Sequence, residues 1–209
     1  MNVVTKCFVL AASLLLATPA VAQQGVKQTE RLVKRADDAV KEIGETKAQI
    51  HTTLGIYNAL MGGTGPDATK LYSDLQKSAA SSQKKRADVT KRGDEMEQEA
   101  HKFFEEWSAS IAGISSESLK SRSMERLSKT RGEFGEILAA GRKAGSEFDL
   151  FMAALRDQIV YLGHDLNPSG IASLSEDATK LNVQAEAMLE RVDAVTATIE
   201  RYADSLRAK

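Results

Sequence analysis

The sequence predicts an all-α protein: an elongated, antiparallel, up-down four-helix bundle with coiled-coil-like packing and a protruding hairpin tip between helices 2 and 3. Three observations carry that expectation. Apolar residues recur at alternating steps of three and four along successive stretches, the spacing of heptad seams. Beyond residue 22 only Pro66 and Pro168 interrupt the chain. Aromatic residues make up 5% of the composition, which favours helices with aliphatic seams over any sheet.

Residues 1–22 read as a secretory signal peptide. Lys6 supplies the positive start, an apolar run extends from Phe8 to Ala17, and Ala20-Val21-Ala22 is a small-x-small cleavage site. The run is about ten residues, roughly half of what a membrane span requires. A lipoprotein signal fits less well, because Cys7 precedes the apolar core instead of ending it. Cleavage after Ala22 leaves residues 23–209 as one helical-bundle domain without cysteine, so no disulfide can form within it. The expected location is the periplasm. Lys6 is the only charge in the signal, and its loss moves the net charge from −1 to −2. That balance excludes general nucleic-acid binding, which needs a basic excess.

Four helices follow in order, at about 26–61, 68–113, 117–165 and 171–207. The first carries Val33, Ala36, Val40, Ile43, Lys47, Ile50, Leu54, Tyr57 and Met61 at heptad steps. Gly62-Gly63-Thr64-Gly65-Pro66-Asp67 stops it, with Asp67 as the expected cap of the next. The second keeps the spacing from Tyr72 and Leu75 through Ser82, Arg86, Val89 and Gly93 to Phe103 and Trp107, although its middle is polar or small. A weaker break at Gly113-Ile114-Ser115-Ser116 precedes the third. Its seam runs from Met124 and Leu127 through Arg131, Phe134, Leu138, Gly141 and Gly145 to Leu162. At Asn167-Pro168-Ser169-Gly170, Asn167 can cap and Pro168 suits the first turn of a helix. The fourth seam runs from Ile171 through Leu181, Met188, Val195 and Ile199 to Leu206.

Short connections make neighbouring helices antiparallel. Folding each pair about its loop sets Gly93 opposite Gly141, where the backbones are expected to approach closely and where Gly141→Leu should destabilise. The same folding sets Lys84, Lys85 and Arg86 beside Asp37, Asp38, Glu42 and Glu45. It also brings Asp94, Glu95, Glu97 and Glu99 near Lys129 and Arg131. The second and third helices, roughly 70 Å long at 1.5 Å per residue, outreach the first and fourth. Their shared hairpin should therefore project.

Catalytic and cofactor chemistry finds little support. Di-iron bundles need Glu-x-x-His on two helices, and none of His51, His101 and His164 has a glutamate three residues before it. His101 stands four residues from both Glu97 and Glu105, a spacing that more often marks solvated charge pairing than a metal site. No nucleophile elbow is present, and Gly62-Gly63-Thr64-Gly65 lacks the Lys-Ser/Thr ending of a phosphate loop. The expectation is a protein that is not an enzyme and holds no cofactor or metal.

The hairpin tip is the remaining candidate. Phe103, Phe104, Trp107, Ile111, Ile114 and Leu119, with Met124 nearby, gather much of the large apolar surface, and exposed patches of this kind mark association. The competing arrangement has residues 23–30, or a kink in the long helices, covering the tip.

The second half also carries a resemblance. Phe104-Glu105-Glu106-Trp107, the stretch from Leu119 to Thr130-Arg131, and Leu155-Arg156-Asp157-Gln158-Ile159-Val160-Tyr161-Leu162 are part of it. His164-Asp165-Leu166-Asn167 and Ile171-Ala172-Ser173-Leu174 complete it. Together they resemble an uncharacterised bacterial family of exported, coiled-coil proteins, domain of unknown function 2959. The likeness covers most of the mature chain and is clearest from about residue 103 onward. The family turn reads Lys-His-Asn-Leu-Asn-Ala, where this chain has Gly163 for the lysine and Pro168 for the alanine. The resemblance implies a helical fold and an exported location, and it brings no activity with it. His164, at the end of the third helix, is read as satisfying the last carbonyls there.

The function expected is association in the cell envelope, with an envelope protein or with a second copy of the chain. The alternative is peripheral membrane contact through the aromatic tip.

Overall fold

A computed structural model describes residues 19–63 and 67–208, with side chains described from residue 25 onward. The apolar run of the expected signal peptide, and Thr64, Gly65 and Pro66 of the first turn, lie outside the described residues. Five helices are present among those described: α1 (Pro19–Gly62), α2 (Ala68–Ala112), α3 (Glu117–His164), α4 (Pro168–Ser173) and α5 (Ser175–Arg207). The molecule is an elongated all-α bundle. In it α1 packs on α2, α2 on α3, α3 on α5, and α5 back on α1.

Cross-helix pairs fix the directions. Arg31 meets Glu99 at 2.8 Å, and Lys85 meets Glu42 at 3.0 Å, so numbers rising along α1 meet numbers falling along α2. Trp107 with Ser123, and Arg86 with Asp149, give the same antiparallel sense to α2 and α3. Tyr72 reaching Ile159 O extends it to the far end.

The seams bury as heptads, with a rotation on two helices. On α1 the inward line is Leu32, Ala36, Ala39, Thr46, Ile50, Thr53, Tyr57 and Leu60, whereas Val40, Ile43, Lys47, Leu54 and Met61 are only half-buried. On α3 Thr130, Ile137 and Ala144 turn inward in place of Arg131, Leu138 and Gly141. On α1 the buried threonines are satisfied. Thr53 Oγ1 bonds the carbonyl of Gln49 at 3.0 Å and the hydroxyls of Ser78 and Ser82, each at 2.8 Å. Thr46 Oγ1 bonds Glu42 O and also reaches Lys85 O on α2. A hydroxyl satisfied in this way can be buried without the cost of an unpaired polar group. The α5 seam buries as expected from Leu181 to Leu206, with Val192 half-buried.

The expected fourth helix is two pieces, broken at Leu174 (φ −86°, ψ 0°). Asn167 Oδ1 accepts from Gly170 N at 2.9 Å, and Pro168 opens α4 as expected. Gly170 is required here, because a Cβ would run into the carbonyl oxygen of Asp165. Asp67 stands at the N-cap of α2 but makes no side-chain cap bond. His164 is exposed, and the end of α3 is closed instead by Asp165 N–H on Tyr161 O at 3.2 Å.

Two expectations about register need correction. A Cβ at Gly93 or Gly141 meets nothing within 4 Å, so the two backbones do not approach closely there and the steric argument for Gly141→Leu falls. The acidic stretch of α2 faces α1 more than α3. Glu95 and Glu99 pair with Arg35 and Arg31, Glu97 pairs with Arg142, and Lys129 pairs within its own helix with Glu133. The basic stretch partly fits: Lys85 sits between Glu42 and Glu45, while Arg86 turns to Asp149 on α3.

Buried apolar residues form two clusters along the axis. One joins Leu32, Met96, Phe104, Phe134, Tyr202 and their neighbours, and the other joins Tyr57, Leu75, Phe151, Leu155, Leu181 and theirs. No helix among the described residues is long and apolar enough to cross a membrane.

Candidate functional site

The turn between α2 and α3 begins in packed aromatics. Phe103 stacks against Phe104 and against Trp107, each with ring centroids 5.5 Å apart. Phe104 meets Phe134 edge-on at 5.9 Å, and Phe134 meets Tyr202 at 5.8 Å. These rings join the last turns of α2 to α3 and α5, and Leu32 and Val33 of α1 belong to the same cluster. Phe103 is 8% exposed, Phe104 4% and Ile111 4%. They were expected on a free surface and instead lie in the core. Two helices alone could not cover them, but α1 begins at Pro19, earlier than the expected start at 26, and its residue Gln28 is itself buried. Gly25, Gln28 and Thr29 of α1 line a cleft together with Phe103 and Trp107.

Trp107 is half-buried. Its indole N–H donates to Ser123 Oγ at 3.1 Å, and the guanidinium of Arg126 stands 6.0 Å from its ring. Arg131 stands 5.3 Å from the ring of Phe104. Such contacts hold cationic side chains flat over aromatic faces.

The outer part of the turn differs. Ile114 N–H bonds Ile111 O at 3.0 Å, Ser116 Oγ accepts from Leu119 N–H, and Ile114 is half-buried. Beyond it Leu119 is 54% exposed and Met124 52% exposed. Lys120, Arg122, Arg126 and Lys129 flank them, against Glu117 and Glu125. The structure therefore separates the six candidate residues into three that belong to the core, two intermediate ones (Trp107 and Ile114), and one exposed leucine.

Chemistry elsewhere is sparse. His101 Nε2 lies 3.9 Å from Glu97 Oε1, and Glu97 is shared with Arg142 at 3.5 Å. Among the described residues no three His, Cys, Asp or Glu side chains group closely enough to hold a metal ion. Two buried phenols have altered acidity. Burial first, and the negative charge of Asp177 second, push the Tyr57 hydroxyl up to about 12. Burial also raises that of Tyr202, with Glu133 adding to it. The Lys85 ammonium is held above the usual lysine range by its bonds to Glu45 and Glu42. These are structural pairings that bring no reacting groups together around a cleft.

Sequence reasoning passed over the middle of the bundle. Lys47 and Arg86 stand on seam positions there, and charged residues on a heptad seam were the signal available.

Residues 19–206 match the model of a family described as a protein of unknown function, DUF2959. No curated protein and no solved structure matches the chain.

Proposed function

Because the chain belongs to the DUF2959 family, we propose that it is an exported, non-enzymatic helical-bundle protein that acts by association with another protein of the cell envelope. The signal-like residues 1–22 support export to the periplasm, with cleavage after Ala22. The heptad burial supports coiled-coil-like packing. The observation that carries the association is the pair Leu119 and Met124, both more than half exposed at one turn. Exposed apolar side chains rimmed by charge are what a protein contact uses, and these two lie on the first turns of α3, five residues apart.

Site-specific photo-crosslinking in intact cells tests this. A crosslinker at 119 or 124 should capture a defined partner, one at exposed Leu150 should not, and Leu119→Lys with Met124→Lys should abolish capture. Equal capture from 119 and 150 would end the proposal.

The basic rim favours one second reading, contact with an anionic membrane surface. Lys120, Arg122, Arg126 and Lys129 would meet the headgroups while Leu119 and Met124 insert. Co-sedimentation with phosphatidylglycerol vesicles that is lost in Leu119→Ala/Met124→Ala would select this reading. Absence of sedimentation would remove it.

A further inference from the structure

Between the two apolar clusters the bundle is incompletely filled. A cavity of about 80 Å³ is walled by all four long helices, with Ile50, Val89, Phe148 and Val195 among its lining. A second, of about 170 Å³, shares Ile43, Arg86, Val89, Gly141 and Val195 with it and continues along the axis. Protein interiors are packed to the density of organic crystals, so a void in mid-core sacrifices stability that larger side chains would restore.

The first chamber has a particular charge pattern. Its lining includes two cations, Lys47 from α1 and Arg86 from α2, and no carboxylate. Lys47 is engaged outside by Asp193 at 2.6 Å. Arg86 is engaged in part, one terminal N–H donating to Thr90 Oγ1 on its own helix. Its Nε is buried without a hydrogen-bond partner among the described residues, and the nearest carboxylate oxygen, on the largely exposed Asp149, is 3.7 Å away. The guanidinium lies directly over Gly145, where any Cβ would collide with it. About a quarter of the Arg86 side chain is exposed, so solvent reaches the group from outside while the cavity lies inward of it. A buried guanidinium N–H left unbonded is costly, and a carboxylate is the partner that its fork fits best.

We propose that the middle of the bundle binds a small amphiphilic monocarboxylate. Its apolar body fills the first chamber and extends along the Ile137, Leu138 and Ile199 side of the second, away from Asp94 and Glu97, and its carboxylate takes the free N–H of Arg86. The size follows from the volumes, since an apolar void of about 150 Å³ accommodates a benzene-sized body. An acyl chain of about six to eight carbons is of that order, whereas a long-chain lipid is too large. Lys47 also lines the first chamber, with its ammonium held by Asp193. The site is independent of the α2–α3 turn.

Titration calorimetry on the full mature chain with octanoate, octanol and octylammonium tests the proposal. Octanoate should bind one to one and raise the melting temperature, octanol should bind at least tenfold more weakly, and octylammonium should not bind. Arg86→Gln, with unchanged circular dichroism, should weaken octanoate at least tenfold and leave octanol unaffected. No heat with octanoate would overturn the site. Equal affinity for the three ligands would overturn the charge recognition on the wild-type protein alone, whether or not the variant folds. Octanoate binding unchanged in Arg86→Gln would overturn the role of that residue.

Discussion

Tyr57 and Tyr202 are both buried phenols, and they differ in what meets the hydroxyl. Tyr57 donates to Gln158 Oε1 in a short bond, and Gln158 itself is buried and donates to Asp177 O. Tyr202 OH lies in the other cluster with no hydrogen-bond partner among the described residues. Removing a bonded hydroxyl strands its partner, whereas removing an unbonded one relieves a desolvation cost. Tyr57→Phe should therefore destabilise by about 1–2 kcal/mol, and Tyr202→Phe should be neutral or stabilise by up to about 1 kcal/mol, both read by urea denaturation. The Tyr57 pKa in the fold, about 12, exceeds the ordinary 10.0. Its neutral form is thus the one the fold favours, and that contribution is complete below pH 10 and lost as the pH rises through 12. Tyr57→Phe should flatten the alkaline loss of stability in the same measurement. Position 57 was legible as a seam residue from its spacing. The contrast with Tyr202 was not, because it depends on which amide from another helix arrives opposite each ring.

At the scale of single elements, α3 shows where spacing is informative and where it is not. Phe134, Phe148, Leu155 and Leu162 are inward as the heptad requires. Thr130 and Ala144 are inward too, and neither is greasy enough to announce itself beside Arg131 and Gly141. The α4–α5 break was hidden for a similar reason, since Leu174 stays buried on either side of it. Glycines on the same helix separate two physical roles. Gly132 and Gly135 are exposed in the helix interior, and a Cβ on either meets nothing within 4 Å. Alanine at each should stabilise by about 0.5–1 kcal/mol through the lost freedom of the unfolded chain. Gly170→Ala should instead cost about 1–3 kcal/mol, because backbone must move to admit the methyl. Thermal denaturation of the three variants checks both signs, and similar shifts in one direction would contradict the assignment.

For the molecule as a whole, stability resides in the two clusters, while the ion pairs between helices are mostly exposed. Phe151 is fully buried, so Phe151→Ala should cost about 3–5 kcal/mol. Lys85 bridges Glu42 and Glu45 with about a third of its side chain exposed, and Lys85→Gln should cost far less than that. Chemical denaturation of both variants measures the difference, and comparable losses would mean that charge, not packing, holds the bundle. An elongated helical bundle was readable from the seams alone. The state of its aromatic end was not, because burial there depends on how far α1 and α5 reach, a matter of relative length and not of local pattern. That same circuit of neighbours has a mechanical meaning. The segments from α1 to α3 are sewn together in series, each to the next, and the long α5, with the short α4 before it, returns to touch the first. It closes the ring along its whole length: Leu181 to Leu189 belong to one buried cluster and Val195 to Leu206 to the other, so the tube opens only when both let go of α5.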